Sequence, residues 1–193
     1  MRTKAVKNFI NFLNRTTKIP PEEYDHFISL LDYVEIEKNE KFIASGKNCH
    51  EMYFLSEGFV KYELNQPNQL KVIHISGGGA FISDFYSYFS GQPAITDVYT
   101  ITASKFLVAS RASIEQLYAQ SITWANFGRK HAENALVNQI MERIRLQTLS
   151  PEERYIQILN AQPELFEVIK LGDLAQVLGI TQETLSRIRR RLK

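Results

Sequence analysis

Cysteine is nearly missing from this 193-residue chain, Cys49 being the only one. A lone thiol excludes an internal disulfide, a structural zinc–thiolate site and an iron–sulfur cluster held entirely by cysteines. No apolar run approaches the ~18 residues that span a bilayer, which points to a soluble, cytoplasmic protein without a membrane partner. Histidine is scarce as well. His26, His50, His74 and His131 lack the close pairing of a cupin-like metal centre, which would need His50, Glu51 and His74 to converge from separate strands. Gly77-Gly78-Gly79 has no Lys-Ser/Thr after it, and no G-x-S-x-G or dinucleotide fingerprint occurs. The expectation is therefore a non-enzyme with no catalytic residues, no metal and no cofactor.

A further absence is local: no lysine or arginine stands between Lys71 and Lys105. The first twenty residues, in contrast, hold basic side chains and no acid. Their apolar pairs (Ala5-Val6, Phe9-Ile10, Phe12-Leu13) are too short for a secretory signal. A transit peptide would share that basic, amphipathic character, but Val6, Phe9, Ile10 and Leu13 fit one face of an ordinary short helix.

What is present argues for packed cores: 44% of residues are apolar and 23% charged. The length exceeds one average domain of roughly 150 residues without reaching two large ones. Pro20-Pro21-Glu22-Glu23 opens a second helix bearing Tyr24, Phe27, Ile28 and Leu31. From Tyr33 to about Ala109 the pattern turns to short segments of period two or short apolar runs, parted by turn material such as Ser45-Gly46-Lys47-Asn48 and Gln66-Pro67-Asn68. Seven or eight strands at that spacing predict a compact antiparallel barrel or sandwich, with a short helix inserted over 84–90. After Ser110 the period is helical: a short helix over 111–119, then about seven turns over 121–148. Ser150-Pro151-Glu152-Glu153 resets the chain with a capping box and a proline at the first helical position. The predicted organisation is an α+β chain with N-terminal helices and an antiparallel β-roll over 1–120, a long helix over 121–149, and a small helical unit over 150–193.

The most specific signal lies in residues 171–192. Leu171–Gly179 makes one helix and Ile180 onward opens another. Ala175 is small where two helices must cross, and Gly179 tolerates the positive φ of a tight turn. Leu174, Leu178, Ile180, Leu185 and Ile188 fall where such a pair packs. The opposite stripe of the second helix carries Gln182, Glu183, Ser186, Arg187 and Arg190. Residues 181–193 hold five basic side chains against Glu183, a net +4, while the whole chain is only +2. A solvated amphipathic helix would explain the charges alone; with the Ala–Gly turn the pattern is a helix-turn-helix, and the predicted partner is double-stranded DNA. Arg187 suits a guanine edge, Glu183 a cytosine amino group and Gln182 an adenine. Thr181, Thr184, Arg189 and Arg190 suit phosphates, and Ser186 completes the predicted interface.

Glu183-Thr184-Leu185-Ser186-Arg187 matches the E-x-x-S-R recognition-helix pattern, and the chain resembles the Crp/Fnr family of bacterial transcription regulators over about residues 20–193. Arg154-Tyr155 through Pro163, then Ile169-Lys170-Leu171 and Leu178 to Arg187, resemble members from Bacteroidetes-type bacteria. The resemblance implies a cyclic-nucleotide-binding-like β-roll (a double-stranded β-helix), a dimerisation helix and a winged helix-turn-helix, here with a reduced wing because the chain stops at Lys193. It leaves room for RNA polymerase as a contact. The single cysteine does not suit the iron–sulfur version of the family.

Within 121–148, Val137, Ile140, Met141 and Ile144 follow helical spacing, with Phe127 upstream. Such a helix either packs on its own β-module or, as the resemblance implies, forms the seam of a homodimer. A dimer places two recognition helices about 34 Å apart on a pseudo-palindromic site. Family members that bind cyclic AMP use a Gly-Glu pair and an arginine followed by Ser or Thr; Ser83-Asp84 stands here instead, in the stretch without cations. Ordinary cyclic AMP sensing is not expected, because a buried phosphate needs a cationic partner. Phe81, Phe85, Tyr86, Tyr88, Phe89 and Tyr99 either fill the roll or line a pocket for an uncharged ligand, with Asp84, Tyr86, Gln92 and Thr96 as candidate contacts. The effector remains unidentified. The rival to DNA regulation is a ligand-binding β-roll that signals through a protein partner.

Overall fold

The computed structural model describes residues 1–16, 19–66 and 69–192; the turn expected at Pro67-Asn68 and the terminal Lys193 lie outside them. Helix α1 (Arg2–Thr16) buries Ala5, Phe9 and Leu13, one residue per turn along a single stripe. A 3-10 turn (Pro21–Glu23) leads into α2 (Tyr24–Ser29), so the expected second helix forms with Pro21 at its start and Phe27 inward.

Eight strands follow: β1 (Asp32–Ile36), β2 (Lys41–Ile43), β3 (Glu51–Glu57), β4 (Phe59–Gln66), β5 (Gln69–Gly77), β6 (Ala80–Ile82), β7 (Thr96–Thr100) and β8 (Ser104–Ser110). They build two antiparallel sheets, ordered β1-β8-β3-β6 and β2-β7-β4-β5. The chain passes back and forth between the sheets, which makes a roll. Its interior is filled by Leu55, Val60, Ile82, Val98 and Phe106, each fully shielded from solvent.

The first sheet is covered on both faces. Along β3, Leu55 points into the roll while its neighbour Phe54 packs outward against Phe9 and Phe12 of α1. Leu107 and Ala109 of β8 do the same beside Phe106 and Val108. Burial on both faces is why these segments read as apolar runs rather than strict alternation. Helix α3 (Phe85–Ser90) is inserted between β6 and β7.

Helices α4 (Arg111–Gln120) and α5 (Ile122–Thr148) are each opened by a serine, Ser110 and Ser121, whose hydroxyl accepts the N–H three residues on. Only the start of α5 is buried, through Trp124 and Phe127; residues 132–144 are all exposed. The predicted capping box starts α6 (Pro151–Ala161), with Ser150 and Glu153 satisfying each other's backbone N–H. Helices α7 (Leu165–Val168), α8 (Leu171–Val177) and α9 (Gln182–Arg191) complete the chain. Tyr155, Leu174, Ala175, Leu178, Leu185 and Ile188 form their shared core.

Candidate nucleic-acid interface and sensor pocket

The turn between α8 and α9 is set by backbone bonds. Gly179 has φ +69°, its N–H reaches the Gln176 carbonyl, and the Ile180 N–H returns 2.9 Å to the Ala175 carbonyl. This closes the C-terminus of α8 in a left-handed cap that a β-carbon strains. Thr181 then caps α9 by accepting the Thr184 N–H at 3.3 Å. Arg154 ties the unit from behind, donating 2.6 Å to the Leu149 carbonyl and 2.8 Å to the Leu178 carbonyl.

With Leu185 and Ile188 buried, α9 turns its other face outward. Thr181, Gln182, Glu183, Arg187, Arg189 and Arg190 are exposed, and Thr184 and Ser186 are half-buried. The structure therefore brings together the eight residues predicted to meet DNA, along one helix and its N-cap. Arg187 donates 3.2 Å to the Thr184 hydroxyl. Together with Arg190 and Arg191 it lines an open concavity of about 270 Å³. Arg191 pairs with Glu152 of α6. A bond from its own backbone N–H and another from the Thr181 hydroxyl hold the Glu183 carboxyl below the usual carboxylate range. Glu183 is thus an anion at the helix N-terminus, where the dipole favours it.

The C-terminal helices are also held to the roll. β5 is an edge strand, and its Val72 N–H donates 2.6 Å to Gln176 of α8. Nearby, the Lys61 ammonium lies 2.7 Å from Glu63 and 3.1 Å from Asp173, all three side chains largely shielded. Burial works against that charge, but the two carboxylates outweigh it and raise the Lys61 pKa. Sequence reasoning missed Lys61, Asp173, Gln176 and the bracing role of Arg154. Residues 112 positions apart leave no local pattern to find.

The candidate sensor residues separate into two groups. Asp84 is buried and caps α3, one oxygen accepting the Ser87 N–H at 2.9 Å. Its other oxygen accepts the Ile95 N–H, the Thr96 N–H and the Thr96 hydroxyl at 3.1, 2.9 and 2.7 Å. Asp84 and Thr96 meet each other, in a clasp that joins α3 to β7. Tyr86 and Gln92 are exposed and take no part in it. The aromatics do not fill the roll: Phe81 packs outward against α1 and α5, Tyr88 is buried, and Phe85, Tyr86 and Phe89 are exposed. On α5, Val137, Ile140, Met141 and Ile144 share an exposed stripe. Phe127 corrects the expectation that it joins them, being buried against Trp124 and Phe81.

Residues 33–121 match the cyclic nucleotide-binding domain family. No curated protein was found to match the chain by sequence. Among solved structures, the c-di-GMP responsive global regulator CLP of Xanthomonas campestris is similar at TM-score 0.66 and 15% identity, over 90% of this chain and 91% of that one. The catabolite activator protein of Thermus thermophilus is similar at TM-score 0.56 and 19% identity, over 90% and 84%. A cyclic nucleotide-binding domain from Methylobacillus flagellatus is similar at TM-score 0.65 and 20% identity, over 75% and 85%. At these identities the likeness is one of fold: an antiparallel cyclic nucleotide-binding roll in an α+β chain, shared with Crp/Fnr-type regulators.

The roll of this chain does not fit a cyclic phosphate. The N-terminus of α3 is already taken by the Asp84 carboxylate, itself an anion, and residues 72–104 supply no lysine or arginine. Arg111 reaches α3 from α4, but it donates to the Tyr88 carbonyl and to Glu115. An anion buried beside Asp84 finds no lysine or arginine within residues 72–104 to offset its desolvation.

Proposed function

We propose that this chain is a sequence-specific, DNA-binding transcription regulator of the Crp/Fnr type, acting as a homodimer through α5. The carrying observation is α9: Leu185 and Ile188 anchor it, while Gln182, Glu183 and Arg187 stand exposed together at its N-terminal half. That is the end a recognition helix presents to base edges in a major groove. Arg189 and Arg190 extend the same unit toward phosphates. The dimer reading is supported by Val137, Ile140, Met141 and Ile144, apolar side chains exposed on successive turns of α5.

Selection of bound sites from random duplex DNA tests the proposal. The expected product is a pseudo-palindrome whose half-sites are centred about one DNA turn apart. Affinity for it should weaken steeply with salt, since phosphate contacts release counterions. Failure to enrich any sequence would overturn DNA recognition. Enrichment of a lone half-site would keep DNA binding and remove the dimer.

A further inference from the structure

The open concavity on α9 is lined by Arg187, Arg190 and Arg191, and their spacing explains why they meet. At about 100° per residue the three positions fall within roughly a third of the helix circumference, and Arg189 falls well outside that arc. Like charges three and four positions apart disfavour a helix, so the cluster calls for an anion. The acid of α9 itself is Glu183, four positions before Arg187, but it is turned to its own backbone N–H and the Thr181 hydroxyl. Among the described residues, the one carboxylate that pairs with the cluster is Glu152 of α6, which meets Arg191.

Glu152 has the properties of a displaceable counterion. Its side chain is 27% exposed against 68% for Arg191, so the arginine is the partner with room to leave. Glu152 sits in the first turn of α6, where the helix dipole favours its charge even without Arg191. The start of α6 is fixed independently, by the capping box of Ser150 and Glu153 and by Pro151. A pair this exposed adds little to stability. Its effect is occupancy, because a carboxylate and a phosphodiester offer a guanidinium the same pair of anionic oxygens.

We infer that Arg190 and Arg191, beside Arg187, form a seat for one backbone phosphate of duplex DNA, and that Glu152 holds Arg191 in the free protein until that phosphate displaces it. This rests on the DNA-binding reading but not on sequence specificity, since the phosphodiester is the same in every duplex. Arg187 keeps its base edge. Arg191 lies outside the eight residues expected from the sequence and joins Arg190 at the backbone.

The test is the affinity of the full-length protein for a random-sequence duplex at fixed salt. Glu152→Gln should bind about fivefold more tightly, since no ion pair has to part first. Arg191→Gln should bind about threefold or more weakly, with the salt slope reduced by about one. Adding Glu152→Gln to Arg191→Gln should then gain less than about twofold, because the counterion has lost its partner. Circular dichroism should be unchanged in all three variants. An unchanged affinity in Glu152→Gln, or the same gain in both backgrounds, would overturn the counterion and leave DNA binding standing. No binding of any duplex by any of these proteins would overturn the DNA-binding reading and this seat with it. Inorganic phosphate, titrated by calorimetry without DNA, should give no saturable heat below about 1 mM. Saturation there would assign the seat to a free anion and overturn the backbone phosphate.

Discussion

Arg187 projects from the exposed face of α9 with its guanidinium steadied by the Thr184 hydroxyl. A guanidinium offers two parallel donors, the match for the O6 and N7 of a guanine. Arg187→Ala should therefore weaken binding to the selected site by about 1–3 kcal/mol and leave nonspecific duplex nearly unaffected. Parallel binding isotherms on the two DNAs check this, and an equal loss on both would make Arg187 a phosphate contact. His131 carries a different prediction. Its pKa in the fold lies below the ordinary 6.5, because burial among Phe12, Phe81 and Phe127 disfavours the imidazolium. Below about pH 6.5 the unfolded chain then takes up a proton before the folded one does, so stability falls as pH drops. Thermal midpoints measured from about pH 7.5 down to about pH 5.5 should decline, and His131→Phe should flatten that decline. An unchanged slope in the variant would mean other groups set the acid limb.

Helix α5 is unusual among the elements because residues 132–144 are all exposed. Ile140 is 51% exposed and sits mid-stripe, so it has little to lose within its own chain. Ile140→Glu should leave helicity intact yet place two like charges in the seam of a dimer, raising the dissociation constant by about 100-fold or more. Sedimentation read against circular dichroism separates that from misfolding; a dimer that persists would place the interface elsewhere. The same helix shows where sequence legibility ends. The strands, the insertion at α3, the capping box at Ser150 and the Gly179 turn were all readable, because each leaves a local mark: a change of period, a cap or a positive φ. The eight residues expected at the DNA face lie together for the same reason, since one helix fixes their order. But α5 is apolar on two sides, which offers no phase by which to tell them apart, and Phe127 was assigned to the wrong one. Asp84 and Thr96 have the residue types of ligand contacts. Nothing in the sequence announces that a carboxylate and a hydroxyl twelve positions apart satisfy each other.

Across the whole molecule, the basic charge gathers at the C-terminal tip while the roll leans acidic, and Lys61 is a cation that joins the two parts. It holds Glu63 of the roll and Asp173 of α8 in one partly buried cluster, next to the bond from Val72 to Gln176. Lys61→Met keeps most of the side-chain bulk and removes the charge, leaving two carboxylates to repel each other where water is scarce. The contact between α8 and β5 should then open. Hydrogen exchange at the Val72 amide should quicken by about tenfold or more, since one broken charged cluster is worth about 1.5–3 kcal/mol, while amides in the roll interior keep their rates. Exchange quickened everywhere would instead report global destabilisation, and no change would show that the cluster is not what holds the helices. Because α9 follows α8 through the Gly179 turn, opening that contact also frees the orientation of α9 relative to α5. Any resulting change in DNA affinity should come with an unaltered salt slope, because Lys61 lies away from the exposed α9 face and releases no counterion of its own. A slope reduced by about one would place Lys61 on the phosphate backbone, and the tie between roll and helices would have to be sought elsewhere.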